Sequence, residues 1–340
     1  MSSPQLGAGA ALDLQPIQQM WFSYAPSYTL SAAVQLDVFS HLAAGNRSAA
    51  EVARAAGATE RGTRMLLDAL TGFALLDKRD GGYELSALAA EYLVRGRPNY
   101  AGAVLESNYL QESWSHLAEV VRTGSAAHRL ERQQEAEQFF PVLIRSLHVF
   151  NREPSRRLAA ALGAGASAHG LRVLDVACGS GVWGIALAEA DPRTRVTAHD
   201  YPGVLETTRE YVGRHGVESQ FDFLAGDLKG ADFGEGRFDV AVLGNILHTE
   251  GEASSRDLLR RIGRALAPGG RVAILEMVPN DERTGPVFPL LFALNMLVHS
   301  SEGDTFTLAQ LREWLTEAGF GAVETFDIGG SSPAIVAAKA

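Results

Sequence analysis

Residues 173–190 read VLDVACGSGVWGIALAEA. The apolar run at its start passes directly into Gly179-x-Gly181-x-x-Gly184, and small apolar residues follow. A strand that ends in a glycine turn and opens a helix begins a βαβ unit, and it brings the backbone close to a ligand at the helix's amino end. The spacing alone suits more than one nucleotide ligand, so the residues around it must decide between them.

Outward from this stretch, RVLDVA at 172–177 is followed by RVTAHD at 195–200, QFDFLAG at 220–226, FDVAVLG at 238–244 and RVAILEM at 271–277, with helical spacing between them. Strands alternating with helices require a parallel sheet with crossover connections. The tail AVETFDIGGSSPAIVAAKA offers two more strands around Gly329-Gly330, expected as a hairpin added at one edge. Upstream, LGAGASAHG at 162–170 is a candidate linker, and residues 106–162 are all helical in pattern.

The N-terminal part has a different plan. Residues 16–44 space their apolar positions as helices do. Ser48-x-x-Glu51 has the form of a capping box, and a second helix, ERGTRMLLDALTGFALL, starts at Glu60. Two short strands around Asp80-Gly81-Gly82 complete the outline of a winged helix. Between Ser48 and Arg97 seven basic side chains face seven acidic ones. The chain as a whole carries a formal charge of -10 with a pI near 5.4. Phosphate binding needs a cationic surface, so packing or dimerisation is expected of this module, and neither nucleic acid nor membrane is expected as a partner. The single cysteine, Cys178, excludes an intrachain disulfide and a cysteine-based zinc site. No basic start with an apolar core opens the chain, so the cytoplasm is the expected compartment. The apolar stretch VFPLLFALNMLV from 287 is short of the roughly 20 residues a membrane span needs and is read as a buried helix.

Asp175, Asp227 and the edge hairpin, which belongs to another topology than the dinucleotide fold, discriminate between ligands, whereas Asp200 suits either. Asp175 lies within the first strand, where a pyrophosphate would not tolerate it but an aminoacyl ammonium group would. Asp200 ends the second strand and suits both ribose hydroxyls. Asp227, in AGDL with Leu228, ends the third strand and suits an adenine amino group. Together with Gly179, Gly181 and Asn245 at the end of the fourth strand, they outline a site for S-adenosylmethionine better than one for a nicotinamide dinucleotide.

With those residues in place, the C-terminal half resembles a class I S-adenosylmethionine-dependent methyltransferase, with LDVACGSG as its first motif. The neutral winged helix, WSHLAEVVRTG, GRALAPGGRVAILEMVPND and LREWLTEAGF narrow the resemblance to small-molecule O-methyltransferases of plant phenolic and bacterial polyketide metabolism. The resemblance implies an α/β, Rossmann-like sheet with a C-terminal antiparallel edge hairpin, behind a mostly helical winged-helix dimerisation domain. The boundaries are set at 1–105 and 106–340, with 106–165 as connector and substrate-pocket helices. It implies a homodimer through the N-terminal domain, S-adenosylmethionine as cofactor and a small aromatic or polyketide-like acceptor.

It also implies roles for particular residues. His248, in LGNILHTEG, matches the family's general base, and Glu276 matches a carboxylate that orients it. Full proton transfer from a free phenol to an ordinary imidazole is uphill by roughly 5 kcal/mol, so proton loss must accompany attack. Met296 matches a methionine that presses on a flat acceptor, Phe292 lies one turn away, and His148 is a further candidate for substrate or cofactor contact. Two departures stand out. Thr249-Glu250 follow the histidine where the family has Asp-Trp. Thr305, in EGDTFTLAQL, stands where a second supporting carboxylate is usual, leaving Asp304 or Glu302 as substitutes. Transfer to carbon or nitrogen, or a non-methylating use of the sulfonium, therefore stay open as alternatives.

Overall fold

In a computed structural model that describes residues 13–129 and 133–340, the chain divides into two compact units, Met1–Leu110 and Gln111–Ala340. The first contains helices α1 (Gln15–Phe22), α2 (Tyr24–Gln35), α3 (Val38–Ala43), α4 (Ala49–Ala55) and α5 (Glu60–Gly72), the strands β1 (Leu76–Arg79) and β2 (Gly82–Leu85), and α6 (Ala87–Tyr92). Ser48 caps α4 as the sequence predicts: its hydroxyl accepts from the Glu51 N–H while the Glu51 carboxylate takes the Ser48 N–H. Asp80 and Gly81 both have positive φ, 51° and 77°, the conformation that lets a two-residue turn follow the twist of β1 and β2. Val34, Phe39, Leu67, Leu70, Leu76 and Tyr83 close a core beneath this hairpin. On α1, by contrast, Ile17, Met20, Trp21 and Phe22 are all exposed.

α7 (Tyr109–Ser115) bridges the division. The second unit continues with α8 (Leu117–Thr123), α9 (Gln133–Ala161), β3 (Arg172–Val176), α10 (Val182–Ala190), β4 (Arg195–Asp200), α11 (Pro202–His215), β5 (Phe221–Ala225), β6 (Phe238–Gly244) and α12 (Leu247–Ala265). It ends with β7 (Leu266–Leu275), α13 (Val287–His299), α14 (Leu308–Glu317), β8 (Phe320–Phe326) and β9 (Ala334–Lys339). The strands form one sheet in the order β5-β4-β3-β6-β7-β9-β8. β3 to β7 run parallel, while β9 pairs antiparallel with β7 and with β8. The chain runs outward from β3 to β5 and returns to β6, so the order reverses beside β3, where open sheets of this kind hold their ligands. One face of the sheet is covered around Trp183, Leu187 and Tyr211, the other around Leu247, Leu258, Ile262 and Trp314.

Two expectations need correction. The stretch 162–170 is no interdomain linker, because it lies inside the second unit. It is a tight connection into β3, closed by an Ala164–Ala168 bridge, and a Cβ on Gly165 would lie 2.1 Å from the Ala190 carbonyl. The apolar helix α13 is only half buried: Met296, Val298 and His299 are inside, while Val287, Phe288 and Leu291 are exposed. α9 runs as one 29-residue helix through Pro141 and Pro154, each of which removes a backbone donor. Among the described residues no helix is long and apolar enough to cross a membrane.

β4 also carries an uncompensated polar side chain. His199 on β4 is 1% exposed, packs edge-on to Phe233 and makes no hydrogen bond through either ring nitrogen. Burial holds its pKa down at about 4. A depressed imidazole takes up protons more readily in the unfolded chain, so its cost grows as pH falls from about 6.5 towards 4. His199→Leu removes an unsatisfied group worth about 1 kcal/mol. The variant is expected to melt about 2–4 °C above the parent near neutral pH, with a wider gap at pH 5, as measured by thermal unfolding at the two pH values.

Candidate active site

The turn after β3 is built from left-handed residues: Ala177, Gly179 and Gly181 have φ of 50°, 55° and 74°. At Gly181 a Cβ would come within 3.0 Å of the Thr208 methyl, and at Gly184 within 2.8 Å of Val196. The spacing thus serves close packing of α10 on the sheet as well as the turn. Two carboxylates hold it. Asp200 accepts from the Gly179 N–H at 2.9 Å and from the Tyr201 N–H at 2.8 Å. Asp175 accepts from the Gly184 N–H at 2.9 Å. Burial raises Asp200 to about 6 and Asp175 to about 7, against the opposing pull of those amides.

Asp175 differs from the expectation. Its side chain is fully buried behind the turn, and its second oxygen has no partner. It has no surface to offer an ammonium group and braces α10 instead. Asp200 is partly exposed at the β4 tip, and Asp227 is exposed just past β5, its carboxylate accepting from the Lys229 N–H. Leu228 beside it is buried. Asn245, with φ of 62°, stands past β6, and its N–H and side-chain amide both donate to the Leu275 carbonyl. Gly181 at the amino end of α10 supplies no side-chain cap, and with the Gly184 N–H held by Asp175 the Val182 and Trp183 amides are left for an anionic group.

On the other side of β6, His248 and Glu276 form a buried pair. Glu276, just past β7, is 3% exposed and His248, in the first turn of α12, is 6% exposed. One Glu276 oxygen lies 2.7 Å from His248 Nδ1. The other accepts from the Leu247 N–H at 2.8 Å and the His248 N–H at 3.3 Å. An ionised carboxylate only accepts, so Nδ1 carries the proton of a neutral ring and Nε2 is left with its lone pair. Nε2 has no hydrogen-bond partner among the described residues. The Phe292 ring stands edge-on to the imidazole with centroids 5.0 Å apart, and Met296 is buried one turn further along α13.

The loop after α13 supports His248 through its backbone. The Asp304 N–H donates to the His248 carbonyl at 3.0 Å, and a Cβ on Gly303 would lie 2.5 Å from that same oxygen. The Asp304 carboxylate is turned away, to the Thr305 N–H and Arg283, and Glu302 is exposed. Neither replaces the second carboxylate at the ring. Thr305 itself is buried, its hydroxyl donating to the Pro289 carbonyl. Gly251, with φ of 72°, kinks α12 three residues after His248.

His148 is the clearest misplacement. It lies behind the glycine turn, its ring stacked 3.9 Å from Tyr211 and its Nδ1 3.0 Å from the Ser180 hydroxyl. It belongs to the face of the sheet covered by α9, α10 and α11, away from His248. Sequence reasoning also passed over Trp114, whose indole donates to the Asn295 side chain at 3.0 Å, one residue before Met296. The pair joins α7 to α13 across 181 positions, a distance over which periodicity carries no signal.

A family of O-methyltransferase domains matches residues 160–321, and a family of O-methyltransferase dimerisation domains matches residues 18–95. The chain is similar to 3-hydroxy-5-methyl-1-naphthoate 3-O-methyltransferase of Streptomyces sahachiroi, 33% identical over 87% of this chain and 86% of the relative. It is also similar to the tetracenomycin polyketide synthesis 8-O-methyl transferase of Streptomyces glaucescens, 31% identical over 95% and 96% of the two chains. Among solved structures, human N-acetylserotonin methyltransferase in complex with S-adenosylmethionine superposes with a TM-score of 0.83 at 26% identity, covering 98% of this chain and 99% of that one.

Proposed function

We propose, from the premise that this chain belongs to the O-methyltransferase family, that His248 is its general base and that its acceptor is a hydroxyl on a small aromatic or polyketide-derived molecule. The chain is an S-adenosylmethionine-dependent O-methyltransferase. The observation that carries the finer reading is the 2.7 Å contact between His248 Nδ1 and Glu276, which leaves Nε2 as an acceptor beside an aromatic ring.

The residues fit the cofactor. The partly exposed Asp200 suits a ribose diol, the Asp227–Leu228 pair at the next strand tip suits an adenine, and Asn245 closes the turn after β6. The uncapped start of α10 suits the cofactor's carboxylate. When bound, S-adenosylmethionine supplies an electrophilic methyl group on a sulfonium. The protein's own work is to hold the acceptor oxygen about 3 Å from that carbon and in line with it. Phe292 and Met296 offer an apolar wall for a flat acceptor. The acceptor hydroxyl donates to His248 Nε2, and its proton moves there as the oxygen attacks. Glu276 holds the ring in the required tautomer and stabilises the imidazolium that forms. The exposed apolar side chains of α1, at the start of the matched dimerisation domain, support a homodimer.

The test uses methyl-labelled S-adenosylmethionine and a panel of hydroxynaphthoates and related phenols. The expected product gains one labelled methyl group on oxygen, located by NMR. Label found only on carbon or nitrogen across the panel contradicts the assignment of a hydroxyl acceptor.

A further inference from the structure

Behind the glycine turn, four polar side chains from separate elements form a continuous line. Glu189 near the end of α10 lies 2.7 Å from His215 Nδ1 at the end of α11. His215 Nε2 lies 3.3 Å from His148 Nε2 on α9. His148 Nδ1 lies 3.0 Å from the hydroxyl of Ser180, the residue between Gly179 and Gly181. Ser180 and His148 are 4% and 5% exposed, and Glu189 is the exposed end, with Arg156 3.8 Å away. Arg152 on α9, and Tyr211 and Arg214 on α11, are the other groups around the two rings.

For an ionised Glu189 and a neutral His215, donor and acceptor chemistry sets the direction of this line. An ionised Glu189 only accepts, so a neutral His215 donates from Nδ1 and accepts at Nε2. His148 then donates from Nε2 and accepts at Nδ1, and the Ser180 O–H donates to His148. Burial, with Arg152 and Arg214 nearby, holds the His148 pKa down at about 3, consistent with a neutral ring.

We infer that Glu189, His215 and His148 are positioning residues for methyl-donor binding: they anchor the Ser180 hydroxyl and so hold the glycine turn in its ligand-binding form. Glycine-rich turns have many accessible conformations. This one is tied on one side by Thr208, whose hydroxyl donates to the Gly179 carbonyl at 2.7 Å, and on the other by the histidine line. A turn held in advance costs less ordering when the ligand arrives. The inference rests on the reading that this turn receives the methyl donor.

The test is a double-mutant cycle on donor affinity, with S-adenosylhomocysteine as the probe in calorimetry. Ser180→Ala and His148→Phe are each expected to weaken binding about tenfold, the worth of one hydrogen bond. Their combination is expected to be no worse than either alone, because both remove the same contact. Melting temperatures are expected to stay within about 2 °C of the parent. In ¹⁵N NMR of the parent, His148 is expected to carry its proton on Nε2. Losses that multiply to about a hundredfold, affinities unchanged in both single variants, or a proton on His148 Nδ1 would each overturn the inference. Should His148→Phe fold poorly, Glu189→Ala at the exposed end, which removes the acceptor of His215 Nδ1, replaces it in the cycle under the same criterion. A parent protein that does not bind S-adenosylhomocysteine contradicts the ligand reading itself, whereas a binding parent with unmoved variants contradicts only the anchoring line.

Discussion

His248→Ala is expected to lower kcat by about two orders of magnitude or more, the usual worth of a positioned acid–base group. Affinity for S-adenosylhomocysteine is expected to change less than about twofold, because His248 is tied to Glu276 and Phe292 and not to the glycine turn. Both quantities come from one preparation, the first by steady-state methyl transfer and the second by calorimetry. A variant that keeps the parent's turnover would remove His248 from the chemistry. One that loses affinity in proportion to turnover would make it a part of the binding site. The cavity left by the ring adjoins Phe292, so a modest loss of stability is expected alongside.

Glu276→Gln is expected to be as damaging to kcat, by about two to three orders of magnitude, while leaving the fold intact. In the parent, one Glu276 oxygen serves the Leu247 and His248 N–H groups, and the other meets His248 Nδ1. A glutamine has one oxygen and one NH₂ group. With its oxygen on the two backbone donors, its NH₂ faces Nδ1, which must then accept. The ring proton moves to Nε2, and the base loses the lone pair that takes the acceptor's proton. Reversed, the amide would leave two buried backbone donors unpaired, at a cost of about 1–3 kcal/mol. Glu276→Leu lacks both functions and is expected to lose stability as well, so comparing the two variants by kcat and melting temperature separates orientation from support.

The sheet and its ligand edge were legible because their signals are local. Apolar runs bounded by glycines marked β3 to β7, and the tail's two strands around Gly329-Gly330 gave the antiparallel β8–β9 pair at one edge. The pairing of His248 with Glu276 could be anticipated because both sit just past the ends of neighbouring parallel strands, β6 and β7, where the register brings them level. What could not be read was the facing of individual side chains. Asp175 looked like a ligand carboxylate, but its strand position points beneath α10, so it is sealed. His148 looked like a pocket residue, but α9 runs uninterrupted through two prolines, and its packing on α10 and α11 turns that ring to Ser180. Asp304 looked like a spare carboxylate, yet it supports His248 through its backbone N–H, a contact no residue type announces. Each miss concerns a contact between different elements, where burial and not local pattern sets the outcome.

The most direct test is the protonation pattern of the His248 ring in the folded protein with S-adenosylhomocysteine bound, read by ¹⁵N–¹H NMR at mildly alkaline pH and assigned by its disappearance in His248→Ala. The expected spectrum has the proton on Nδ1 and an unprotonated Nε2, reversed in Glu276→Gln. A parent ring that carries its proton on Nε2 would contradict the assignment of His248 as the base.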